Sequence, residues 1–302
     1  MKQLAVISGK GGTGKTTITA AFAALARGAV LADCDVDAAD LHLILAPMLE
    51  SEQAFHGLRL AQVDHARCTE CGECLAHCRF GAVTEEFDIV REKCEGCGVC
   101  ELVCPAGAIS MVERVSGVAY LSSTRFGPMA HAALGIGEEA SGLLTTLVRR
   151  NAVELASRHH RDLVIIDGPP GIGCPVIAAI TGVDLVLVVT EPTLSGIHDL
   201  TRVLGTATHF GIPAAVAVNK MDINPQNTQR ILAMCREARV PVAGVLPYDE
   251  AATRAMIAGK ALPEFNDIGI SVDLQRMWCV VEQMLADAKP VSATTAARRP
   301  GG

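Results

Sequence analysis

Residues 9–17 read Gly9-Lys10-Gly11-Gly12-Thr13-Gly14-Lys15-Thr16-Thr17. The stretch matches the pattern G-x-x-x-x-G-K-[ST] and lies between an apolar run, residues 4–7, and a helix-forming run, residues 18–26. Glycines let the backbone curl, so that successive N–H groups at a helix N-terminus face phosphate oxygens. The sequence therefore predicts a nucleotide phosphate-binding loop, with contacts from Gly11, Gly12, Thr13, Gly14, Lys15, Thr16 and Thr17.

Within this loop, Lys15 is expected to reach the β- and γ-phosphates, and the Thr16 hydroxyl to hold Mg²⁺. Two further Mg²⁺ candidates follow apolar strands. Asp35 follows the run 29–32 together with Asp33 and Asp37, and these other two are expected to support the turn or cap the next helix. Asp167 ends the continuous apolar run 163–167 in the Walker B pattern. Ligands bind at the carboxyl edge of open parallel sheets, so these carboxylates are expected to meet there.

Composition indicates the same fold class. Half of the 302 residues are apolar but only 3% are aromatic, which favours a core of Ala, Val, Leu and Ile in a parallel sheet buried on both faces. We therefore expect an α/β P-loop fold with a mostly parallel, doubly wound sheet. The formal charge of −7 argues against nucleic-acid binding through a basic surface and against docking on an anionic membrane.

The chain begins Met1-Lys2-Gln3 and enters the first strand at once, which leaves no room for a signal peptide. No uninterrupted apolar run reaches transmembrane length. We expect a cytoplasmic protein, and twelve cysteines in such a chain indicate metal binding rather than disulfides.

Eight of the cysteines form two consecutive C-x₂-C-x₂-C-x₃-C runs. This spacing is typical of bacterial two-cluster ferredoxins, in which each run gives three thiolates to one [4Fe–4S] cluster and its fourth to the other. Cys₄ zinc sites are the competing interpretation, but paired C-x-x-C knuckles are spaced differently. The predicted ligands are Cys68, Cys71, Cys74 and Cys104 for cluster one, and Cys94, Cys97, Cys100 and Cys78 for cluster two.

The predicted domains follow from these motifs. An α+β ferredoxin domain, residues 59–112, interrupts a discontinuous ATPase domain, residues 1–58 and 113–289. Residues 290–302 are rich in Ala, Thr, Pro and Gly and are expected to be disordered. We also expect a helix from Glu138 to about Ser157 with acidic residues in its first turn, and a last amphipathic helix over 271–288.

The second lysine of the loop, Lys10, gives it the form K-G-G-T-G-K-T-T. With D-C-D-V-D-A at 33–38 and I-D-G-P-P-G-I-G-C-P at 166–175, it resembles the deviant Walker A ATPases of the MinD/ParA/Mrp/nitrogenase-iron-protein superfamily. The resemblance implies a homodimer closed over ATP, with Lys10 acting in trans and Asp35 orienting the attacking water. The alternative for Lys10 is a solvated loop charge.

The same resemblance assigns base recognition. Asn219, in the sequence Asn-Lys-Met-Asp, is implied to meet adenine although the pattern resembles the guanine-reading N-K-x-D. Pro247 lies in the implied second base-contacting loop. Cys174, seven residues beyond Asp167 in the sequence, matches a cluster-binding cysteine of the nitrogenase iron protein, but a buried thiol is the preferred interpretation for it, as for Cys34, Cys235 and Cys279.

The expected function is an ATPase that couples a nucleotide-dependent dimer switch to electron transfer or metallocluster assembly on an unidentified redox or cluster-carrying partner. The alternative is a ParA/MinD-like positioning or partition switch in which the clusters sense redox state. A cobyrinate-type amidoligase shares the P-loop core but needs a glutamine-hydrolysing domain.

Overall fold

A computed structural model describes residues 1–288 of the chain, so the predicted tail at 290–302 lies outside the described residues. Its centre is a nine-stranded sheet in the order β11-β10-β9-β1-β8-β2-β7-β6-β3. The strands are β1 (Lys2–Ser8), β2 (Val30–Asp33), β3 (Met48–His56), β6 (Val115–Thr124), β7 (Gly127–Leu134), β8 (Leu163–Pro170), β9 (Leu185–Thr190), β10 (Ala214–Val218) and β11 (Val242–Val245). Two shorter strands, β4 (Leu60–Val63) and β5 (Ile109–Val112), form a separate antiparallel pair.

Seven strands of the large sheet, from β11 to β7, run parallel. The central strands are buried along almost their whole length, because helices cover both faces of the sheet. Their sequences are therefore mostly apolar and do not alternate between apolar and polar residues. The predicted mostly parallel α/β P-loop fold is confirmed.

The helices form one layer on each face. One layer contains α1 (Lys15–Leu25), α2 (Leu41–Leu45), α9 (Glu250–Ile257), α10 (Leu262–Phe265) and α11 (Ile270–Asp287). The other contains α5 (Ser141–Arg158), α6 (Cys174–Ile180), α7 (Leu194–His209) and α8 (Pro225–Glu237). No helix within residues 1–288 is both long enough and apolar enough to cross a membrane.

The expected start of α5 is wrong. The helix begins at Ser141, its first turn contains no acidic residue, and Glu138 and Glu139 precede it in a loop. Glu138 is instead occupied by two arginines, Arg91 at 3.1 Å and Arg114 at 3.0 Å. These ion pairs hold Glu138 in the loop before the helix, whereas a helix dipole would contribute only about 0.3–1 kcal/mol at an exposed site.

Residues 59–112, called the insert from here on, connect β3 to β6. The antiparallel strands β4 and β5 close it, with Leu60 opposite Val112. It contains two short helices that touch each other, α3 (Glu73–His77) and α4 (Val99–Val103). Its small apolar core is separate from the two large cores of the sheet.

The insert emerges at the nucleotide-binding edge of the sheet. Strand β7 runs parallel to β2 and antiparallel to β6, and β6 runs antiparallel to β3. The end of β3 and the start of β6 therefore lie at the carboxyl edge of the parallel strands, where the loops after β1, β2 and β8 also lie. Between β2 and β6 there is only β7, so the lateral separation is about two strand spacings, roughly 10 Å.

Candidate functional site

The predicted Mg²⁺ ligands lie together beside the P-loop. The Thr16 hydroxyl donates to the Asp167 carboxylate at 2.7 Å. The Lys15 ammonium lies 3.1 Å from Asp167 and 3.3 Å from Asp35. Since β1, β2 and β8 are adjacent and parallel, their following loops bring Lys15, Asp35 and Asp167 to one point of the sheet edge.

Lys15, Asp35 and Asp167 are buried together, so each charge acts strongly on the others. Burial alone would lower the pKa of Lys15, but the Asp167 and Asp35 carboxylates outweigh it, so its pKa is raised and the ammonium stays charged. Burial raises the pKa of Asp35, and Lys15 opposes that shift only in part. A carboxyl that takes up a proton easily is suited to positioning a water molecule, which is the role that the resemblance implies for Asp35.

Asp33 has a structural position. Its carboxylate accepts the backbone N–H groups of Asp35 and Leu41, so it ties the loop after β2 to the start of α2. Complete burial raises its pKa well above the usual value, and the nearby Asp167 carboxylate adds to the shift. Its two hydrogen bonds make it a support for the loop that carries Asp35.

The backbone of the P-loop needs its glycines at two positions. Gly12 and Gly14 have φ angles of +77° and +89°, in the left-handed region that other residues rarely adopt. A Cβ atom on Gly14 would also lie 2.4 Å from the Asn219 side-chain nitrogen. The Thr13 hydroxyl is buried in the same loop and has no hydrogen-bond partner among the described residues.

A cavity of about 220 Å³ adjoins the loop, lined by Gly12, Gly14, Thr17, Asn219 and Pro247 among others. Asn219 donates from its side-chain nitrogen to the Thr13 carbonyl at 2.8 Å, so this wall of the cavity is attached to the phosphate loop. Asp222, the acid of the N-K-x-D pattern, accepts the Tyr248 backbone N–H at 2.6 Å. That carboxylate therefore shapes the loop around Pro247.

Lys10 is held by its own chain. Its ammonium lies 2.6 Å from the Glu191 carboxylate and within 3.2 Å of the Thr193 and Ser195 hydroxyls. Glu191 also pairs with Lys220 at 3.2 Å, and Lys220 donates to the Gly12 carbonyl at 2.9 Å. Burial would raise the pKa of Glu191, but the hydrogen bonds from the two lysines keep it below the usual value.

Sequence reasoning missed Glu191. It comes directly after β9, whose sequence is a continuous apolar run that ends in one threonine. Asp167 similarly ends an apolar run in β8. An acid just beyond a buried parallel strand was a usable signal in both cases, but only Asp167 also matched a named motif.

In the insert, the four cysteines predicted for cluster two share one space. Cys78, Cys94, Cys97 and Cys100 line a single cavity together with apolar residues such as Phe80 and Met111. Cys78 comes from the first run and the other three from the second, which is the exchange that the spacing predicts.

Three of the four cysteines predicted for cluster one lie near one another. Cys74 is buried, which raises its pKa, and the nearby Cys68 and Cys104 thiols raise it further, so these three lie close together. Cys71 is exposed. Cys68 and Cys104 thus approach Cys74 from opposite ends of the insert sequence.

The backbone repeats around both groups. The fourth cysteines, Cys78 and Cys104, each accept a backbone N–H from four residues ahead, both at 3.3 Å. Matching positions before the two short helices, Gly72 and Gly98, both have positive φ. N–H groups aimed at sulfur stabilise a thiolate, so this backbone favours charged sulfur ligands.

Within residues 1–288, no three His, Cys, Asp or Glu side chains are arranged to hold a single metal ion. A closed zinc site needs four ligands at about 2.0–2.3 Å from one ion.

The remaining cysteines divide differently from the prediction. Cys34 and Cys235 are buried thiols, as expected, but Cys174 and Cys279 are exposed, so the buried-thiol interpretation is wrong for both. Cys174 is the first residue of α6, which directs it to the surface instead of into the core.

Comparison with known proteins agrees with this geometry. A family model for the CobQ/CobB/MinD/ParA nucleotide binding domain, CbiA, matches residues 4–262. An uncharacterized protein of Methanocaldococcus jannaschii is 36% identical over 228 residues, covering 74% of this chain and 80% of that protein.

Solved structures share the fold. The septum site-determining protein MinD of Pyrococcus horikoshii, complexed with Mg-ADP, has a TM-score of 0.57 at 16% identity, over 96% of this chain and 99% of that one. The MinC:MinD cell division protein complex of Aquifex aeolicus gives 0.56 at 16% identity, over 96% and 98%. The resemblance inferred from residues 9–17 is confirmed at the level of the nucleotide-binding domain: the chain belongs to the CobQ/CobB/MinD/ParA nucleotide-binding family.

Proposed function

We propose that this protein is an ATP-hydrolysing iron–sulfur protein in which a nucleotide-dependent homodimer switch drives electron transfer to, or metallocluster assembly on, a partner protein. The observation that carries the proposal is the cavity lined by Cys78, Cys94, Cys97 and Cys100. A ligand set drawn from both runs in this way is the arrangement of a two-cluster ferredoxin. Nothing in a positioning ATPase alone requires it.

The residues of the insert fit two [4Fe–4S] clusters. Cys68, Cys71, Cys74 and Cys104 would hold one, and Cys94, Cys97, Cys100 and Cys78 the other. Backbone N–H donors at Cys78 and Cys104 favour the thiolate form that ligation needs. When bound, such clusters supply one-electron redox chemistry.

The ATPase half of the proposal rests on the carboxylates around the P-loop. Thr16 and Asp167 would hold the Mg²⁺ ion of the nucleotide, and Asp35 would orient the attacking water. Lys15 would exchange a carboxylate for phosphate oxygens. Asn219 and Pro247 line a space beside the loop that suits adenine.

Iron and sulfide analysis of anaerobically purified protein tests the proposal. We expect about eight iron and eight sulfide per chain, with an EPR signal on reduction. Cys97→Ser should lose about half of the iron. Cys279→Ser is the matched control, since it changes an equally exposed cysteine outside the insert. Wild-type protein that contains zinc, or no metal, would overturn the proposal.

A second candidate is an ATP-gated positioning switch with redox-sensing clusters. It is favoured by the fold similarity to MinD proteins. It predicts ATP-dependent binding to DNA or lipid vesicles, which the formal charge of −7 opposes. Co-sedimentation with vesicles or DNA in the presence of Mg-ATP separates the two candidates.

A further inference from the structure

Glu138 joins the insert to the ATPase core. Its side chain is 7% exposed and is shared by two arginines, Arg91 within the insert and Arg114 at the return into β6. Arg91 also donates to the Val115 carbonyl at 3.1 Å, and Arg114 donates to the Arg91 carbonyl at 3.1 Å. The Glu138 carboxylate therefore pairs with two arginines that also contact each other and Val115 at the base of the insert.

The loop that carries Glu138 also touches the loop after β2. The Leu134 N–H donates to the Val36 carbonyl at 3.2 Å, next to Asp35. Glu139 lies close enough to Asp37 for the two carboxylates to repel each other. Neighbouring residues of one loop thus face the nucleotide edge on one side and the insert on the other.

Close contacts join this loop to the residues that flank the insert. A Cβ atom on Gly57, the residue before the insert's first turn, would lie 2.8 Å from both the Ala140 Cβ and the Ser116 hydroxyl. The Gly135 N–H donates to the Ser116 carbonyl at 2.8 Å, which fixes the loop to β6 as well.

From these contacts we infer that Glu138 is a positioning residue that transmits a change of the loop at Asp35–Asp37 to the insert, through its ion pairs with Arg91 and Arg114. The biological role of this link rests on the proposed function. Its physical content, a mechanical link between nucleotide site and insert, is independent of what the insert binds. A nucleotide that draws Asp35 toward Mg²⁺ would move Val36 and Asp37, and with them the loop 134–140.

The direct variant is Arg91→Met. Its guanidinium is half exposed, and its removal leaves Glu138 paired with Arg114, so no buried charge is orphaned. Glu138→Gln is the second variant and keeps the side-chain volume. The matched control is Arg67→Met, an insert arginine whose hydrogen bond, to the Ala106 carbonyl at 3.3 Å, stays within the insert.

The measurement is hydrogen exchange of the full-length protein with Mg-ADP and with a slowly hydrolysed ATP analogue, read on peptides of residues 59–112. In the wild type and Arg67→Met, we expect the two nucleotides to give insert exchange rates that differ severalfold. In Arg91→Met and Glu138→Gln the difference should disappear, while ATP affinity stays within about twofold.

Equal nucleotide responses in wild type and both joint variants would overturn the inference, as would an insert in the wild type that does not respond to nucleotide. Iron content, measured on the same samples, reports separately on the proposed function. Protein without iron but with a Glu138-dependent exchange response would contradict the proposed function and leave this link intact.

Discussion

The Lys10 ammonium and the Glu191 carboxylate lie 2.6 Å apart within one chain. The resemblance implies that Lys10 acts on the nucleotide of a second chain, so the lysine has to exchange Glu191 for a phosphate oxygen when two chains close. The Lys10 side chain is about a third exposed, which makes the intrachain pair weak enough to exchange, about 1 kcal/mol or less. Glu191 therefore holds the lysine within its own chain.

Lys10→Ala is expected to reduce ATP hydrolysis by about 10³-fold, the lower range for a residue that stabilises phosphoryl transfer in trans. ATP affinity should change little, because the intrachain contacts of Lys10 are to Glu191, Thr193 and Ser195. Steady-state phosphate release and equilibrium nucleotide binding measure the two effects.

Lys220→Ala is the matched control, since Lys220 pairs with the same Glu191 but holds the P-loop of its own chain through the Gly12 carbonyl. We expect it to weaken ATP binding more than it slows hydrolysis at saturation. If Lys10→Ala hydrolyses ATP as fast as the wild type, Lys10 does not act in trans and the alternative interpretation, a solvated loop charge, holds.

Asp33→Asn is expected to stabilise the nucleotide-free protein at neutral pH. The pKa of Asp33 is raised by burial above its usual value, so the folded state binds its proton more tightly than the unfolded state. Stability from this group is therefore present below the usual pKa of 3.8 and is lost as pH rises through the raised folded value. Asparagine removes the buried charge and keeps an acceptor for one of the N–H groups of Asp35 and Leu41.

Thermal unfolding at several pH values measures this effect. The advantage of Asp33→Asn should be largest at pH 7–8, about 1–3 kcal/mol, and should shrink as pH falls toward 4. A variant less stable than wild type at pH 8 would mean that the lost hydrogen bond outweighs the buried charge.

Asn219→Ala is expected to weaken ATP binding by about tenfold, the cost of one hydrogen bond that leaves a partner unsatisfied. Its amide supports the Thr13 carbonyl, and it lines the adjoining cavity. Asp222→Ala should loosen the loop at Tyr248 and weaken ATP without improving GTP, because this carboxylate is used by a backbone N–H. Competition between ATP and GTP for binding, measured by calorimetry, checks both; GTP preference in the wild type would refute the adenine assignment.

Iron removal is expected to unfold the insert and spare the rest of the chain. The insert's buried core consists of Ala61, Cys74, Val83 and Ile109, and it is separate from the two cores that flank the large sheet. So small a core cannot offset the conformational entropy of the segment without bound metal.

Limited proteolysis after anaerobic chelation measures this outcome. Cleavage should concentrate within residues 59–112, while fragments containing β1, β8 and β9 stay protected. Unchanged resistance of the insert after complete loss of iron would show that its fold does not depend on clusters.

The parallel core of the fold was predictable because strands that are buried on both faces have continuous apolar sequences. The first half of strand β8, residues 163–166, is an uninterrupted apolar run, and the acid that follows it, Asp167, is diagnostic. Strand β3 was missed because it lies at the sheet edge with eight of its nine residues outside the core, so no apolar pattern marks it. Its pairing with β6 is decided by tertiary contacts, which a local pattern does not record.

At the candidate site, motif residues such as Lys15 and Asp167 were predictable because phosphate and Mg²⁺ binding fix their spacing. Glu191 and Glu138 were not, because each acts through residues distant in sequence: Lys10 for the first, Arg91 and Arg114 for the second. Glu138 was assigned to a helix start on charge alone. Only the folded chain shows that it forms ion pairs with two arginines.

The central claim is that the nucleotide site and the insert influence each other. An EPR-monitored redox titration of anaerobic protein, with no nucleotide, with Mg-ADP and with a slowly hydrolysed ATP analogue, tests it most directly. We predict that the midpoint potential with the ATP analogue differs from that with Mg-ADP by about 60 mV or more, equivalent to a coupling free energy of about 1.4 kcal/mol for one electron. Coincident midpoint potentials in protein with full iron content and bound nucleotide would contradict the claim.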